Sequence, residues 1–179
     1  MRTDAAEVLE AAIPILAKDR AASMQTLAAR AGISRATLVR LFPTRQHLVR
    51  AMAEKILDDC DGALARAEAG DAPVRQVLAA LVADYLPFAR LWNLVYVEPD
   101  VLGVPEASER AEEVFTRTVR LITRAQDAGL LRKDMPATWL TSTFCGLAET
   151  AWELTLEGHM GPRQAPDFIT SILLHGASA

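Results

Sequence analysis

The sequence predicts an all-α protein. Apolar residues recur at intervals of three and four along nearly the whole chain of 179 residues, and no segment of four or more residues alternates as a β-strand does. Proline, glycine and hydroxyl side chains divide the chain into segments of helical length. The longest apolar run, Val77 to Ala83, is about seven residues, whereas ~18 are needed to cross a bilayer, so no transmembrane helix is predicted.

Three helices are predicted before residue 44. The first runs from about Thr3 to Asp19, and Pro14 inside it is expected to kink it. The second spans Ser23 to Ala31, because Ser23 is a good N-cap and Gly32 supplies the left-handed residue that closes the helix. Ser34 caps the third helix, which Pro43 ends.

A long fourth helix is predicted from its cap Thr44 to about Ala69, with Gly62 as its weak point. Gly70 then stops it, a capping Asp71 follows, and Pro73 lies in the first turn of the next helix. The further helices are expected at about Pro73–Leu86, Phe88–Tyr96, Pro105–Ala128, Pro136–Glu157 and Pro166–Gly176.

The positive charge is concentrated near the N-terminus. The whole chain has a formal net charge of -4, yet six arginines and no Asp or Glu lie between Arg20 and Ala53. This stretch presents a locally positive field to a polyanion, and a solvated basic face is the plainer interpretation. The acidic net charge therefore does not exclude nucleic acid as a partner.

Several other classes of protein are disfavoured. Acidic residues at positions 4, 7 and 10 replace the cationic and apolar start of a secretory signal, so a cytoplasmic location is expected. Cys60 and Cys145 lie far apart in no metal-binding or disulfide pattern, and we expect two free thiols, no metal and no cofactor. The three histidines have no metal-ligand spacing and no GxSxG or phosphate-cradling glycine loop is present, so an enzyme is not predicted.

The segment from Met24 to Phe42 has the pattern of a helix-turn-helix. Ala28 lets two helices cross closely, and Gly32 takes the backbone conformation that the turn requires. The alternative is a generic pair of antiparallel helices. Five apolar residues at fixed offsets favour the helix-turn-helix: Leu27, Ala31, Ile33, Leu38 and Leu41.

The second helix of this motif carries residues suited to DNA. A helix of this size fits the major groove, and its N-terminal N–H groups favour phosphate. Arg35 and Arg40 can each donate to guanine or to phosphate, and the sequence does not decide which arginine reads a base. The hydroxyls of Ser34 and Thr37 can donate to phosphate. The residues expected to face away from the motif's core are Arg35, Ala36, Val39 and Arg40.

Ala28 through Leu48, AARAGISRATLVRLFPTRQHL, resembles the DNA-binding signature of the TetR family of bacterial transcriptional regulators. The resemblance implies a three-helix DNA-binding domain at 1–50 and a larger helical ligand-binding and dimerisation domain at 51–179. It implies a double-stranded DNA operator, an unknown small-molecule effector and a homodimer, with no membrane partner. The residues that it places against phosphate are Gln25, Thr26, Thr37, Thr44 and Arg45.

Two residues depart from the family's usual pattern. Val39 and Leu41 stand where the family commonly has a tyrosine and a histidine. The function predicted is a ligand-responsive regulator, more often a repressor in this family, which a small-molecule effector releases from a pseudo-palindromic operator. The alternative is a helical small-molecule-binding protein that has lost specific operator binding.

The larger domain is expected to hold the ligand. Every Trp and Tyr lies after residue 84, which suits a cavity lined by aromatic residues, although ordinary core packing explains such residues too. Glu149, one turn before Trp152, can receive a cationic ligand or can be solvated or paired with an arginine. The resemblance implies a pocket among the middle helices, and the candidates for lining it are Tyr85, Phe88, Trp92, Phe115, Phe144, Glu149 and Trp152.

Apolar stripes on the last two predicted helices suggest a dimer interface. Two half-sites of a pseudo-palindrome require two recognition helices, which favours a four-helix contact across a two-fold axis over packing within one chain. The candidates for this interface are Leu140, Leu147, Ala151, Phe168, Ile169, Ile172 and Leu173, and Phe144 lies on the same stripe.

Overall fold

The computed structural model describes residues 4–69, 72–86, 89, 105–161 and 163–176, and all the regular elements among them are helical. The all-α prediction is therefore confirmed. The predicted helix Phe88–Tyr96 lies, apart from position 89, outside the described residues. The helices are α1 (Ala5–Lys18), α2 (Met24–Arg30), α3 (Arg35–Leu41), α4 (Arg45–Ala69), α5 (Val74–Tyr85), α6 (Pro105–Asp127), α7 (Ala137–Leu156) and α8 (Ala165–Ser171), which continues into a π-helical turn (Ile172–Gly176).

The predicted helix starts need small corrections. Asp4 is the N-cap of α1 and forms a reciprocal capping box with Glu7, so α1 begins two residues after the predicted Thr3. Pro73 and Pro136 precede α5 and α7 as N-caps, because their ψ angles of 135° and 138° are extended, and α8 begins one residue before Pro166. α1 runs on through Pro14 to Lys18.

α4 is the central helix of the fold. Its cap is Thr44, whose Oγ1 accepts the backbone N–H of His47 at 3.3 Å. The helix is continuous through Gly62, and its 25 residues span about 38 Å. It packs against α1 at one end and against α5 and α6 along the rest.

One hydrophobic cluster connects the two ends of the molecule. It extends from α1 through Leu48, Met52, Ile56 and Leu64 of α4 to Leu173 in the π-helical turn. α6 also packs on α7, and α8 fills the space between α5 and α7. The predicted boundary near residue 50 stays a prediction, because the core continues along α4 without interruption. No described helix is both long and apolar enough to cross a membrane.

Gly32 offers a test of the turn between α2 and α3. Its φ is +69°, and a Cβ at this position would meet no heavy atom within 4 Å, so the conformation itself sets the cost of a side chain. We expect Gly32→Ala to lower the free energy of unfolding by about 1 kcal/mol, measured by urea denaturation. The control is Gly62→Ala inside α4, which we expect to raise it by about 0.5–1 kcal/mol. A rise for Gly32→Ala would contradict the strain argument.

Candidate functional site

α2 and α3 are held by two matching N-caps. Ser23 accepts the backbone N–H of Thr26 at 3.1 Å, and Ser34 accepts that of Thr37 at 3.0 Å. In each cap the two hydroxyls also lie 2.9 Å apart. Each cap satisfies donors that the first turn of a helix leaves open. The predicted start of each helix is therefore confirmed in detail.

The helix crossing has the predicted apolar core. Leu27, Ala28 and Leu38 are buried, and the backbone N–H of Ile33 donates to the carbonyl of Ala28 at 3.0 Å across the turn. Ile33 and Leu41 are half-buried against the same core. α2 and α3 therefore form a compact helix-turn-helix, and one face of α3 is left exposed to solvent.

The outward face of α3 has the predicted composition. Arg35, Ala36, Val39 and Arg40 are all exposed, and so is Ser34 before them. Both arginines can therefore reach a ligand outside the molecule. Val39 leaves an apolar spot, with 36% of its surface exposed, between the two charges. Such a helix can donate charged hydrogen bonds to base edges and phosphates at once.

The side chains predicted to contact phosphate have different surroundings. Gln25 is exposed, whereas the hydroxyls of Thr26 and Thr37 belong to the caps just described. Thr44 lies at the surface beside His47, with 2.8 Å between Oγ1 and the imidazole Nδ1. The contact of His47 with Thr44 was not predicted, although a position three residues after a cap threonine could have indicated it.

Arg45 has a structural contact as well as a charge. One of its terminal nitrogens donates to the backbone carbonyl of Arg20 at 2.7 Å. This bond ties the start of α4 to the loop between α1 and α2. The role of Arg45 at phosphate stays a prediction, and its guanidinium is already held at the basic end of the molecule.

A small cavity lies between α4, α5, α6 and α7, and it measures about 20 Å³, about enough for one water molecule. The aromatic side chains that line it are Tyr85, Phe115 and Phe144, three of the predicted ligand residues. The remaining lining consists of thiols, hydroxyls and methyl groups, from Cys60, Cys145, Thr118, Thr141, Ala89 and Ala148. These six residues were not predictable from the sequence, because small side chains in helices carry no local signal of a cavity.

The described lining of the cavity is uncharged. The rings of Tyr85 and Phe144 stack with 5.7 Å between centroids, and the Tyr85 hydroxyl lies 3.3 Å from Thr118 Oγ1. Burial raises the pKa of Tyr85 and of the Cys60 thiol, and it raises the pKa of Cys145 to about 11. All three groups are therefore neutral at pH 7. No group of three His, Cys, Asp or Glu within the described ranges is arranged to hold a metal.

The other predicted ligand residues lie elsewhere. Phe88 and Trp92 fall outside the described residues, and Glu149 does not line the cavity. Trp152 lines a separate groove against α1. Helix geometry explains this placement, because Trp152 lies on the face of Ala148 but one turn further along, where α7 has passed the cavity.

Four ion pairs fasten α4 to α6 beside the cavity. Arg110 donates to Asp58 at 2.7 Å and to Asp61 at 2.8 Å. Arg117 donates to Asp61 at 2.9 Å and to both carboxylate oxygens of Glu68 at 3.0 and 2.8 Å. Hydrogen bonds from Arg117 hold the pKa of Glu68 below its usual value. Thr118, which lines the cavity, directly follows Arg117 on α6.

The buried acids predict a loss of stability at alkaline pH. In the unfolded chain Cys60 ionises near pH 9.0, whereas burial keeps it protonated in the folded protein. An acid whose folded pKa is raised gives stability that is complete below its unfolded pKa and falls as the pH rises above it. We expect the free energy of unfolding to fall above pH 9, with a contribution from Cys60 of about 1.4 kcal/mol per pH unit. Denaturation of Cys60→Ala between pH 8 and 11 should give a shallower slope, and an unchanged slope would contradict this account.

The residues predicted for a dimer interface divide into two groups. Phe168 and Ile172 are 50% and 51% exposed, and Trp139 of α7 is 63% exposed. Leu147 is half-buried. The other four are buried by packing within the chain, since α8 packs against both α5 and α7. They are Leu140, Ala151, Ile169 and Leu173.

Comparisons with known proteins agree with this geometry. Residues 19–52 match the family described as "Bacterial regulatory proteins, tetR family". The HTH-type transcriptional repressor LfrR of Mycolicibacterium smegmatis is 30% identical over 169 residues, which cover 94% of this chain and 87% of LfrR. The HTH-type transcriptional regulator NfxB of Pseudomonas aeruginosa is 28% identical over 176 residues, with 93% and 90% covered. The crystal structure of LfrR with proflavine matches with a TM-score of 0.72 at 28% identity, covering 97% of this chain and 96% of that one.

A basic helix-turn-helix at one end of a long helix and a helical domain at the other define a helix-turn-helix transcriptional regulator. The family resemblance is confirmed by a relative that shares 30% of its residues over nearly the whole chain. The protein belongs to the TetR family of bacterial transcriptional regulators. This family consists of DNA-binding regulators and not of enzymes, which agrees with the prediction from the sequence.

Proposed function

We propose that the protein is a ligand-responsive repressor, which binds a pseudo-palindromic operator as a homodimer and leaves it when a small molecule occupies the central cavity. α4 carries this proposal, because it joins the two candidate sites. Its cap Thr44 belongs to the basic end, and Cys60, four turns further on, lines the cavity. A regulator of this kind works beside the chromosome, so we also propose a cytoplasmic location.

The small size of the cavity supports coupling between effector and operator. The space between the described walls is about 20 Å³, too small for an organic molecule, so we expect an effector to displace those walls. Two of those walls, α4 and α6, are tied by Arg110 and Arg117. Opening the cavity therefore moves α4, and a different spacing of the recognition helices lowers affinity for the operator.

The stacked rings in the cavity suggest the class of effector. Tyr85 and Phe144 offer an aromatic surface, and the neutral lining favours an apolar or weakly polar ligand. The related LfrR was crystallised with proflavine, which is planar and aromatic. We propose a small aromatic molecule as the effector.

The exposed apolar face of α7 and α8 supports a homodimer. Trp139, Phe168 and Ile172 are half or more exposed on neighbouring helices, which is unusual for large apolar side chains in a monomer. A second copy related by a two-fold axis would cover the same patch on both chains. The dimer also brings the two recognition helices that a pseudo-palindrome needs.

Binding to DNA upstream of the protein's own gene and of its neighbours, across a salt series, tests the proposal. We expect saturable, sequence-selective binding whose log–log dependence on salt has a slope of about −0.9 per phosphate contact. Equal and weak binding to every fragment would contradict it. That result would favour a helical small-molecule-binding protein without operator recognition, which the apolar Val39 on α3 also suits.

A further inference from the structure

We propose that the groove between α1, α4 and α7 is a second small-molecule site, and that it binds a planar aromatic cation. This groove is separate from the central cavity and shares no lining residue with it. Its volume is about 320 Å³, within the range of ligand pockets, ~300–1,000 Å³. It is therefore large enough for a tricyclic molecule without any rearrangement of the helices.

Four of the residues that line the groove are apolar. Ile13 and Pro14 of α1 face Ile56 of α4, and the indole of Trp152 comes from α7. An indole face attracts cations electrostatically and stacks on planar rings. An aromatic ligand can therefore lie against Trp152 with its edges between α1 and α4.

The rim of the groove carries excess negative charge. Glu10 and Asp59 supply two carboxylates, whereas Lys55 supplies one ammonium group. The Lys55 Nζ lies 2.9 Å from Asp59 and 3.7 Å from Glu10, so Asp59 neutralises it more closely. The Glu10 carboxylate, with 70% of its side chain exposed, keeps its charge available to a ligand. The two carboxylates repel an anion, whereas a cation balances the one negative charge that Lys55 leaves over.

Pro14 lines the groove from inside α1. Proline has no N–H, so Pro14 offers a ligand apolar surface and no hydrogen-bond donor. Glu10 shares this groove with Trp152 although it comes from a different helix, while a ligand role for Glu149, one turn before Trp152, stays a prediction.

Titration calorimetry of the full chain with acridine orange, a tricyclic cation at pH 7, tests the site. We expect Glu10→Lys to weaken binding by about tenfold or more, because it reverses the charge nearest to the ligand. We expect Trp152→Leu to weaken it by a similar factor through the loss of stacking. For the neutral tricycle acridone, which the central cavity also suits, we expect Glu10→Lys to change the affinity by less than about twofold.

Glu112→Lys is the matched control, because Glu112 is exposed on α6 and takes no part in the groove. We expect this variant to keep its affinity for the cation within about twofold. Glu10 is exposed, so Glu10→Lys keeps the proposal testable even where Trp152→Leu unfolds the protein. Unchanged affinity for the cation in Glu10→Lys, or an equal loss of affinity for the cation and the neutral tricycle, would overturn the proposal. The experiment contains no DNA, so failure of the proposed operator role leaves its result intact.

Discussion

Replacing Arg40 by alanine is expected to weaken binding to the operator by at least about tenfold while leaving the fold unchanged. Arg40 is exposed on the outward face of α3, so its loss removes no packing. A bidentate arginine contact with a base is worth about 1–3 kcal/mol, and a homodimer loses it twice. Quantitative gel-shift or fluorescence-anisotropy titration at fixed salt measures this effect.

The choice of control decides what the Arg40 result means. Arg75→Ala removes the same charge from an exposed position on α5, and we expect it to change operator affinity by less than about twofold. A salt series then separates the two kinds of contact. Loss of a phosphate contact reduces the slope of log affinity against log salt by about one, whereas loss of a base contact relaxes the sequence preference. Equal losses in Arg40→Ala and Arg75→Ala would show that α3 does not read the operator.

The second large effect is expected from Ile172→Glu. Ile172 is 51% exposed beside Phe168, so the variant tolerates the new charge as a monomer. In the proposed dimer the same carboxylate is buried twice near the two-fold axis, and burying unpaired charge costs several kcal/mol. We expect the protein to become monomeric at micromolar concentration, as measured by sedimentation velocity.

Operator binding should fall with the dimer, by roughly a hundredfold or more, because a monomer has one recognition helix and loses the effective concentration that the second provides. Ala65→Glu, on an exposed position of α4, controls for added charge and should remain dimeric. A dimer that persists in Ile172→Glu would place the interface elsewhere on the protein.

The DNA-binding end was predictable because its signals are local. Ser23, Ser34 and Thr44 each cap the helix that follows within three residues, and Gly32 needs only its own backbone angle. These interactions depend on residues a turn apart, so the sequence alone specifies them. The exposed face of α3 then follows from the period of the helix.

The cavity was only partly predictable because its walls come from distant parts of the chain. Tyr85 and Phe144 were indicated by their aromatic rings, whereas Cys60 and Thr141 show no pattern that separates a cavity from a core. The same limit applies to Ile169, whose apolar stripe the structure covers with helices of its own chain. A hydrophobic stripe predicts that something covers it, and only the fold decides what does.

The length of α4 converts a small rotation near the cavity into a larger displacement at the DNA-binding end. Arg45 and Cys60 are 15 residues apart, or about 22 Å along the helix. In the proposed mechanism the ion pairs that Asp58 and Glu68 make with arginines of α6 serve as the pivot near the cavity, and the arm toward the DNA is long. A rotation of about 5° there moves the far end by about 2 Å, comparable with the helix shifts of allosteric proteins. In the proposed dimer the two displacements add, so we expect a ligand that moves the cavity wall by a fraction of an ångström to change the distance between the two recognition helices by several times that amount.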